Sequence, residues 1–193
     1  AVSNDQERDF LKLALAHTIV AKAGNIAFGP EIYRKPPCDD VDVTGAFVTT
    51  VTDMCSDLQT VLERQERPFP PALIFQDDAR ALSSLKKGPS IGIVITSPPY
   101  PNEKDYTRST RLESVLLGLL TSRRDLRLLK SSLLRSNTRN VFVGDDDDVF
   151  IRDVPAVVEV AREIERQRES LGKTSGFERL YHRVAALYFG GMY

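Results

Sequence analysis

Cysteine and histidine are scarce in this sequence. Cys38 and Cys55 are its only cysteines, and His17 and His182 are its only histidines, in 193 residues. Two thiols make no disulfide framework, and without a second pair or nearby histidines they complete no metal set. We therefore expect no metal site. Both cysteines should be reduced, Cys55 should be a small core residue, and both histidines should be structural or surface residues.

Long apolar runs are also absent. No run approaches the roughly 20 residues that a membrane-spanning helix needs, and the first residues lack the basic and then apolar pattern of a secretory signal. These absences predict a cytoplasmic protein without membrane contact. A hydrophobic fraction of 41% is enough for one globular domain with a core.

The charge is nearly balanced along the whole chain but unevenly distributed. The formal net charge is −1, yet the stretch from Lys104 to Arg139 holds nine lysines and arginines and few acids. Such a stretch can face the phosphates of a nucleic acid. A solvated helix face is the alternative interpretation of the same pattern. The run Asp145 to Asp148 is predicted to be a solvated loop, with a cation site as the alternative.

Periodic apolar residues predict helices towards both ends of the chain. Capping residues precede them, and Pro155 occupies a first-turn position of one of them. The predicted helices cover residues 5–23, 44–67, 155–171 and 174–190, with a left-handed stop at Gly24-Asn25 after the first.

Two short apolar runs in the middle of the chain predict buried strands. Residues 72–75 stop at Asp77-Asp78, a brief helix is predicted over residues 79–87, and residues 91–96 form the second run. Continuous apolar runs suit parallel strands that are covered on both faces, and a helix between them makes a βαβ unit. Ligands bind beyond the carboxyl ends of such strands. A site is therefore expected at Asp77-Asp78 and at residues 97–100.

The second run leads directly into Ser97-Pro98-Pro99-Tyr100. Each proline fixes its own φ and lacks an N–H, so that this turn holds its carbonyl groups in a fixed direction. An exocyclic base amine is a poor nucleophile because its lone pair is delocalised into the ring, and acceptors for its N–H bonds favour methyl transfer. The tetrapeptide resembles the Ser/Asp/Asn-Pro-Pro-aromatic signature of methyltransferases that modify such amines. A proline-rich turn or a short peptide ligand is the alternative.

The resemblance extends beyond the tetrapeptide. The run from Ile95 to Glu113 is similar to site-specific DNA methylases, and a looser similarity continues through Ser136-Asn137-Thr138-Arg139 to Gly176-Phe177-Glu178-Arg179. It covers roughly the C-terminal half of the chain. The family implies a Rossmann-like α/β fold, S-adenosylmethionine as cofactor and DNA as substrate, in a restriction-modification context.

The resemblance also implies residue roles. Ser97 and the carbonyl of Pro98 would accept hydrogen bonds from the amine, with Pro99 completing the catalytic turn, and Tyr100 would stack on a base flipped out of the duplex. Serine at the first position favours cytosine N4 over adenine N6. Asp78 resembles the acidic position that meets the cofactor's adenine amino group, with Asp77 as the alternative. A helix N-cap would explain an aspartate there equally well.

Six residues are candidates for nucleic-acid binding. The family-like run includes Tyr106, Arg108 and Arg111, which would position the flipped strand, although helix-surface roles explain them too. The other three would contact phosphates without regard to sequence. They are Tyr106, Arg108, Arg111, Arg123, Arg124 and Arg127.

One expected motif is missing. The family holds S-adenosylmethionine partly through an Asp/Glu-x-Phe-x-Gly-x-Gly turn after the first strand, and this sequence has none. We therefore expect an incomplete Rossmann-like fold with added helices, and a second polypeptide or missing segment that supplies the turn. Within one domain, residues 1–67 would form a helical N-terminal segment, 68–135 the methyltransferase core, and 136–193 a loop and helical C-terminal segment.

The sequence thus predicts a DNA methyltransferase, or the catalytic half of one, that is inactive as an isolated chain. Two alternatives stay open. An RNA base methyltransferase would share the pocket but recognise an unstacked loop base. A catalytically silent DNA-binding subunit is favoured by the missing cofactor turn and by the basic stretch.

Overall fold

The computed structural model describes residues 5–28, 32–36, 40–65, 70, 72–85, 91–101 and 105–193. The described residues belong to two units: Ala1–Leu73 with Thr107–Arg123, and Ile74–Tyr106 with Arg124–Tyr193. Helices make up most of the regular structure. In chain order, the elements are α1 (Asp5–Thr18), β1 (Ile26–Phe28), β2 (Ile32–Arg34), α2 (Val43–Glu63), α3 (Tyr106–Ser109), α4 (Arg111–Leu116), α5 (Arg123–Ser132), α6 (Pro155–Ser170) and α7 (Tyr181–Met192).

The first unit is built on α1 and α2. Asp42 caps α2, since its side chain accepts a hydrogen bond from the backbone N–H of Gly45 at 2.8 Å. The two helices meet where Thr18 Oγ1 donates to Thr50 Oγ1 at 3.1 Å, and Ala14 is fully buried nearby on α1. Small residues allow this close approach, so that the contact depends on short side chains rather than on a large apolar stripe.

The ends of the two helices differ from the sequence prediction. A single π-helical turn, Ile19–Ala23, continues α1, and Gly24 follows with φ −82° and ψ 145°. The predicted left-handed stop is therefore wrong, because the chain enters β1 in an extended conformation. The second helix ends at Glu63 and not at residue 67; residues 66–69 lie outside the described residues.

The segment between the helices contains a short antiparallel hairpin. Strand β1 pairs with β2 in the register Ile26 with Arg34.

Cys55 is exposed on α2, so the prediction that it is a core residue is wrong. Its position follows from the turn of α2, which directs it away from the buried Thr50. Cys38 lies outside the described residues.

The second unit is built on α6, α7 and the 3₁₀ turn Asp147–Ile151. Pro155 occupies the first turn of α6, as predicted, since its missing N–H needs no partner there. The last helix begins at Tyr181, after a 3₁₀ turn, rather than at Thr174. The buried apolar residues of this unit come from the 3₁₀ turn and from α7: Ile151, Val184, Leu187 and Tyr188.

The predicted Rossmann-like α/β fold is wrong. Within the described residues, the only sheet is the hairpin of β1 and β2. Residues 72–78 and 91–100 have no regular secondary structure, and Ile74 and Ile95 are 93% and 95% exposed. Apolar runs become strands only when neighbouring strands accept their backbone hydrogen bonds and other elements cover their faces. The described residues supply neither. The predicted helix over 79–87 is a series of turns as far as residue 85.

Candidate base-binding site

The tetrapeptide lies in the second unit, in a segment without regular secondary structure. Ser97 is exposed, Pro98 and Pro99 are half-buried, and Tyr100 is 59% exposed. The backbone N–H of Tyr100 donates to the hydroxyl of Tyr106 at 3.2 Å. Two of the predicted site residues are thus in contact, and the aromatic ring of Tyr100 is accessible from solvent.

A buried ion pair anchors the chain next to Tyr106. Lys130 Nζ lies 2.5 Å from Asp105 Oδ2, and the Asp105 side chain is only 3% exposed. Lys130 belongs to α5, so this pair joins that helix to the residue that precedes Tyr106. The charge of Lys130, which is part of the basic stretch, is therefore neutralised within the protein. The basic stretch is not uniformly available for phosphate.

The two candidate cofactor residues are engaged in local contacts. Asp77 accepts hydrogen bonds from the backbone N–H groups of Ser84 and Asp78, and the Ser84 contact lowers its pKa. Asp78 accepts from the side chain and the backbone N–H of Arg80, and this guanidinium holds the pKa of Asp78 below its usual value. Both aspartates cap turns, and no helix follows them, so neither is the helix N-cap that the alternative interpretation predicts. As far as residues 72–85 and 91–101 are described, no hydrogen bond or ion pair joins them to the tetrapeptide.

Arg80 connects Asp78 to the acidic run. Its Nη2 lies 2.6 Å from Asp78 Oδ2, and its Nη1 lies 2.8 Å from Asp147 Oδ2. Nη2 also donates to the carbonyl of Ser132 at the end of α5. One guanidinium therefore binds two carboxylates and a helix end. The sequence analysis missed Arg80, and its only signal was its place beside two aspartates.

The acidic run is the centre of an ionic network and not the predicted solvated loop. Arg135 pairs with Asp145 at 2.7 Å, and their side chains are 3% and 7% exposed. Arg183 pairs with Asp148 at 2.6 Å. Burial raises the pKa of Asp145, but the hydrogen bonds and charge of Arg135 and the N–H of Phe142 outweigh burial and lower it. Asp147 pairs with Arg80, as described above. Three of the four aspartates in the run therefore pair with an arginine.

The six candidate nucleic-acid residues differ in exposure. Arg123, Arg124 and Arg127 are exposed on α5. Arg108 and Arg111 are half-buried on α3 and α4, and Nη2 of Arg111 donates to Thr107 Oγ1 at 3.3 Å. Tyr106 contacts Tyr100 as described above. The arginines of α5 are thus accessible to phosphate, whereas Arg111 takes part in packing within its own unit.

The two histidines differ in their surroundings. His182 is half-buried on α7, with Nδ1 2.9 Å from Glu165 Oε2. It joins α7 to α6 through this contact, which agrees with a structural role. His17 is exposed on α1.

Comparison with known proteins gives no match: no family model, no curated protein and no solved structure is significantly similar to the chain. Among the helices within the described residues, none has the length and apolar character needed to cross a membrane.

Proposed function

We propose that this chain is the base-binding half of an amino-group DNA methyltransferase, which acts on cytosine N4 in preference to adenine N6. The observation that carries the proposal is the solvent-accessible turn Ser97 to Tyr100. Tyr100 is fixed through its backbone to Tyr106 while its ring stays exposed. An exposed aromatic ring beside a fixed turn suits stacking on an unpaired base.

In this proposal, the turn supplies acceptors and a stacking surface. The Ser97 hydroxyl and the carbonyl of Pro98 accept the two N–H bonds of the base amine and so orient its lone pair. Because Pro98 and Pro99 have restricted φ angles, these acceptors lose little conformational entropy when the base binds. Tyr100 stacks on the flipped base and offsets part of the cost of unstacking it, which is about a few kcal/mol.

The two candidate cofactor aspartates are already engaged in local contacts. Both oxygens of the Asp78 carboxylate are bonded to Arg80, and Asp77 accepts from two backbone N–H groups. An adenine amino group would have to share these carboxylate oxygens with the local donors. We therefore propose that a second polypeptide or segment with the glycine-rich turn holds this cofactor, and that the chain works with it in the cytoplasm.

DNA binding in this proposal rests on α5. Arg123, Arg124 and Arg127 are exposed, and the helix carries a single acid, Asp125, which is half-buried. Arginine contacts to phosphate add affinity without sequence preference. Base selection would then depend on the tetrapeptide.

The proposal is tested by measuring binding to fluorescein-labelled, mixed-sequence duplexes with and without a central C·A mismatch. A mismatched base is easier to flip, so the native chain should bind the mismatched duplex more tightly. Tyr100→Ala should remove this preference and Tyr100→Phe should keep it. Equal preference in the native chain and the alanine variant would contradict the proposal, and binding to RNA alone would favour the RNA alternative.

A second candidate function is a catalytically silent DNA-binding subunit. The contact that favours it is the bidentate pairing of Asp78 with Arg80, which leaves no carboxylate oxygen of Asp78 unpaired. Co-expression with a neighbouring gene product that carries a Phe-x-Gly-x-Gly turn separates the two candidates. Methylated DNA from the pair, lost with Ser97→Ala, supports the catalytic half; methylation that persists with Ser97→Ala supports the silent subunit.

A further inference from the structure

Two successive contacts connect the tetrapeptide to helix α5. The backbone N–H of Tyr100 donates to the hydroxyl of Tyr106 at 3.2 Å. Asp105, the residue before Tyr106, pairs with Lys130 of α5 at 2.5 Å. All four residues belong to the second unit. The exposed ring of Tyr100 is therefore linked to a helix that is distant from it in sequence.

The ion pair is the firm step of this connection. The side chain of Asp105 is 3% exposed and that of Lys130 is 21% exposed. A carboxylate at such a depth is strongly destabilising without its counter-charge, so the two side chains stay together in the folded protein. An exposed pair would hold its neighbours only weakly. Asp105 thus ties the backbone next to Tyr106 to α5.

The C-terminal end of α5 is itself held within the second unit. Arg135 donates to the carbonyl groups of Lys130 and Ser131 at 3.1 and 2.8 Å. Arg80 donates to the carbonyl of Ser132 at 3.1 Å. These bonds satisfy carbonyl groups that a helix end leaves without helical partners. Both arginines also pair with aspartates of the acidic run, so that Lys130 extends from a fixed support.

Helix α5 divides its basic residues between two tasks. Arg123, Arg124 and Arg127 are exposed and are the proposed phosphate contacts. Lys130 lies about one turn after Arg127, but its charge is already paired with Asp105. The same helix therefore presents arginines to solvent and holds the chain beside the tetrapeptide.

We propose that Lys130 is a positioning residue for base recognition, which rests on the function proposed above. Through Asp105 and Tyr106, it holds the ring of Tyr100 at a fixed place relative to the phosphate-binding arginines. A ring that is held before binding loses less conformational freedom when a base stacks on it. Lys130 therefore contributes to the recognition of a flipped base and adds no phosphate contact.

Hydrogen exchange of the Tyr100 amide tests the connection without DNA. The chain contains six tyrosines, so labelling tyrosine with nitrogen-15 gives few amide signals, and Tyr100→Phe identifies the relevant one. Lys130→Met and Tyr106→Phe should each speed exchange at Tyr100 by about threefold or more, because each releases the same hydrogen bond. The double variant should exchange no faster than the faster single variant. Lys130→Arg can still pair with Asp105 and should exchange at the native rate.

Binding to the matched and the C·A mismatched duplexes tests the role in base recognition. Lys130→Met should reduce the preference for the mismatched duplex to that of Tyr100→Ala, and Lys130→Arg should keep the native preference. The slope of log K against log salt on the matched duplex should be unchanged in Lys130→Met. A lysine that contacts phosphate would instead lower this slope by about one unit when it is replaced.

Two further variants separate positioning from a loss of folding. Lys173→Met removes a lysine from an exposed pair with Glu178 in the same unit, and it should change neither the amide exchange nor the mismatch preference. If Lys130→Met does not fold, combining it with Asp105→Leu replaces the buried pair with apolar side chains, which buried sites often tolerate. The same losses are expected there, because no directed bond then holds Tyr106.

The outcomes distinguish this role from the proposed function. A native chain without mismatch preference would contradict the proposed function, and the role of Lys130 in base recognition with it. A native preference that persists in folded Lys130→Met would overturn the positioning role alone. Native exchange at the Tyr100 amide in that variant would also overturn it, whatever the DNA measurements show, and a lower salt slope would make Lys130 a phosphate contact instead.

Discussion

The guanidinium of Arg139 lies over the ring of Phe177, 4.9 Å from its centroid. The two residues belong to the separate segments 136–139 and 176–179, which carry the looser family resemblance in the sequence. The structure brings these segments together, and the first of them is packed inside the second unit, since Ser136, Asn137 and Thr138 are buried. Both segments therefore have a packing role that requires no ligand.

The Arg139–Phe177 contact should contribute measurably to stability. Arg139→Ala should lower the free energy of unfolding by about 0.5–1 kcal/mol, the usual size of an exposed cation–π pair. A double-mutant cycle in urea with Phe177→Leu isolates the coupling between the two side chains. Arg179→Ala, an exposed neighbour in the same segment, is the control. A coupling energy of zero would show that the two side chains are adjacent without interacting.

The buried pair of Arg135 and Asp145 should be far more costly to break. Asp145→Asn leaves a buried guanidinium without its counter-charge, which should destabilise the protein by about 3–5 kcal/mol at pH 7. Asp9→Asn is the matched control, because Asp9 is exposed and should lose less than about 1 kcal/mol.

The same pair sets a pH dependence. Arg135 and the N–H of Phe142 lower the pKa of Asp145 in the folded protein despite its burial, so the unfolded chain binds this proton more tightly. The stabilisation is complete above the unfolded pKa and is lost as pH falls below about 4. In urea titrations, the difference between the native protein and Asp145→Asn should therefore shrink from pH 7 to pH 3. A difference that is constant over this range would contradict the assignment.

The sequence predicted local features better than burial. Pro155 marks the start of α6 because its effect depends only on its own ring and missing N–H. The apolar runs around Ile74 and Ile95 failed as strands, because a strand needs partners that a local pattern does not contain. The acidic run was misjudged for the same reason: the arginine that meets Asp147 is 67 residues away in sequence.

At the candidate site, the sequence singled out residues but predicted none of the contacts between them. Tyr100 and Tyr106 are six residues apart and were both singled out, and they are hydrogen-bonded. The hydrogen bonding of Asp78 to Arg80 depends on side-chain geometry within a turn, which sequence spacing does not show. The same sequence pattern suits both a capping aspartate and a ligand-binding one, so that only the three-dimensional arrangement separates these two roles.

The arginines of α5 should contribute phosphate contacts. Replacing all three with alanine should weaken binding to mixed-sequence DNA and lower the slope of log K against log salt by about one unit per lost contact. An equal number of exposed basic residues on α1 and its π turn provides the matched control. The test set is Arg123, Arg124 and Arg127, and the control set is Arg8, Lys12 and Lys22. An unchanged slope in the test set would support a solvated helix face.

Substitutions at Ser97 and Tyr100 should affect catalysis and DNA binding differently when the chain is combined with the proposed partner polypeptide. Tyr100→Ala should remove roughly 1–3 kcal/mol of base stacking, and Tyr100→Phe should keep most of it. Ser97→Ala should lower kcat more than it weakens DNA binding, because orientation of the amine matters chiefly in the transition state. Nucleoside mass spectrometry identifies the methylated base. N6-methyladenine would refute the cytosine preference alone, and full activity in both alanine variants would remove the tetrapeptide from the site.

Gly190 on α7 lies against the backbone of the acidic run. A Cβ at this position would collide with the carbonyl oxygen of Asp147, and neither backbone can move without disturbing the arginine pairs on either side. In a saturation library selected for folded protein, position 190 should therefore accept glycine alone, while the adjacent and partly exposed Phe189 should accept many residues. Position 190 is thus a buried site at which every substitution is selected against, and a neutral drift experiment would reveal it as an invariant position directly after a variable one.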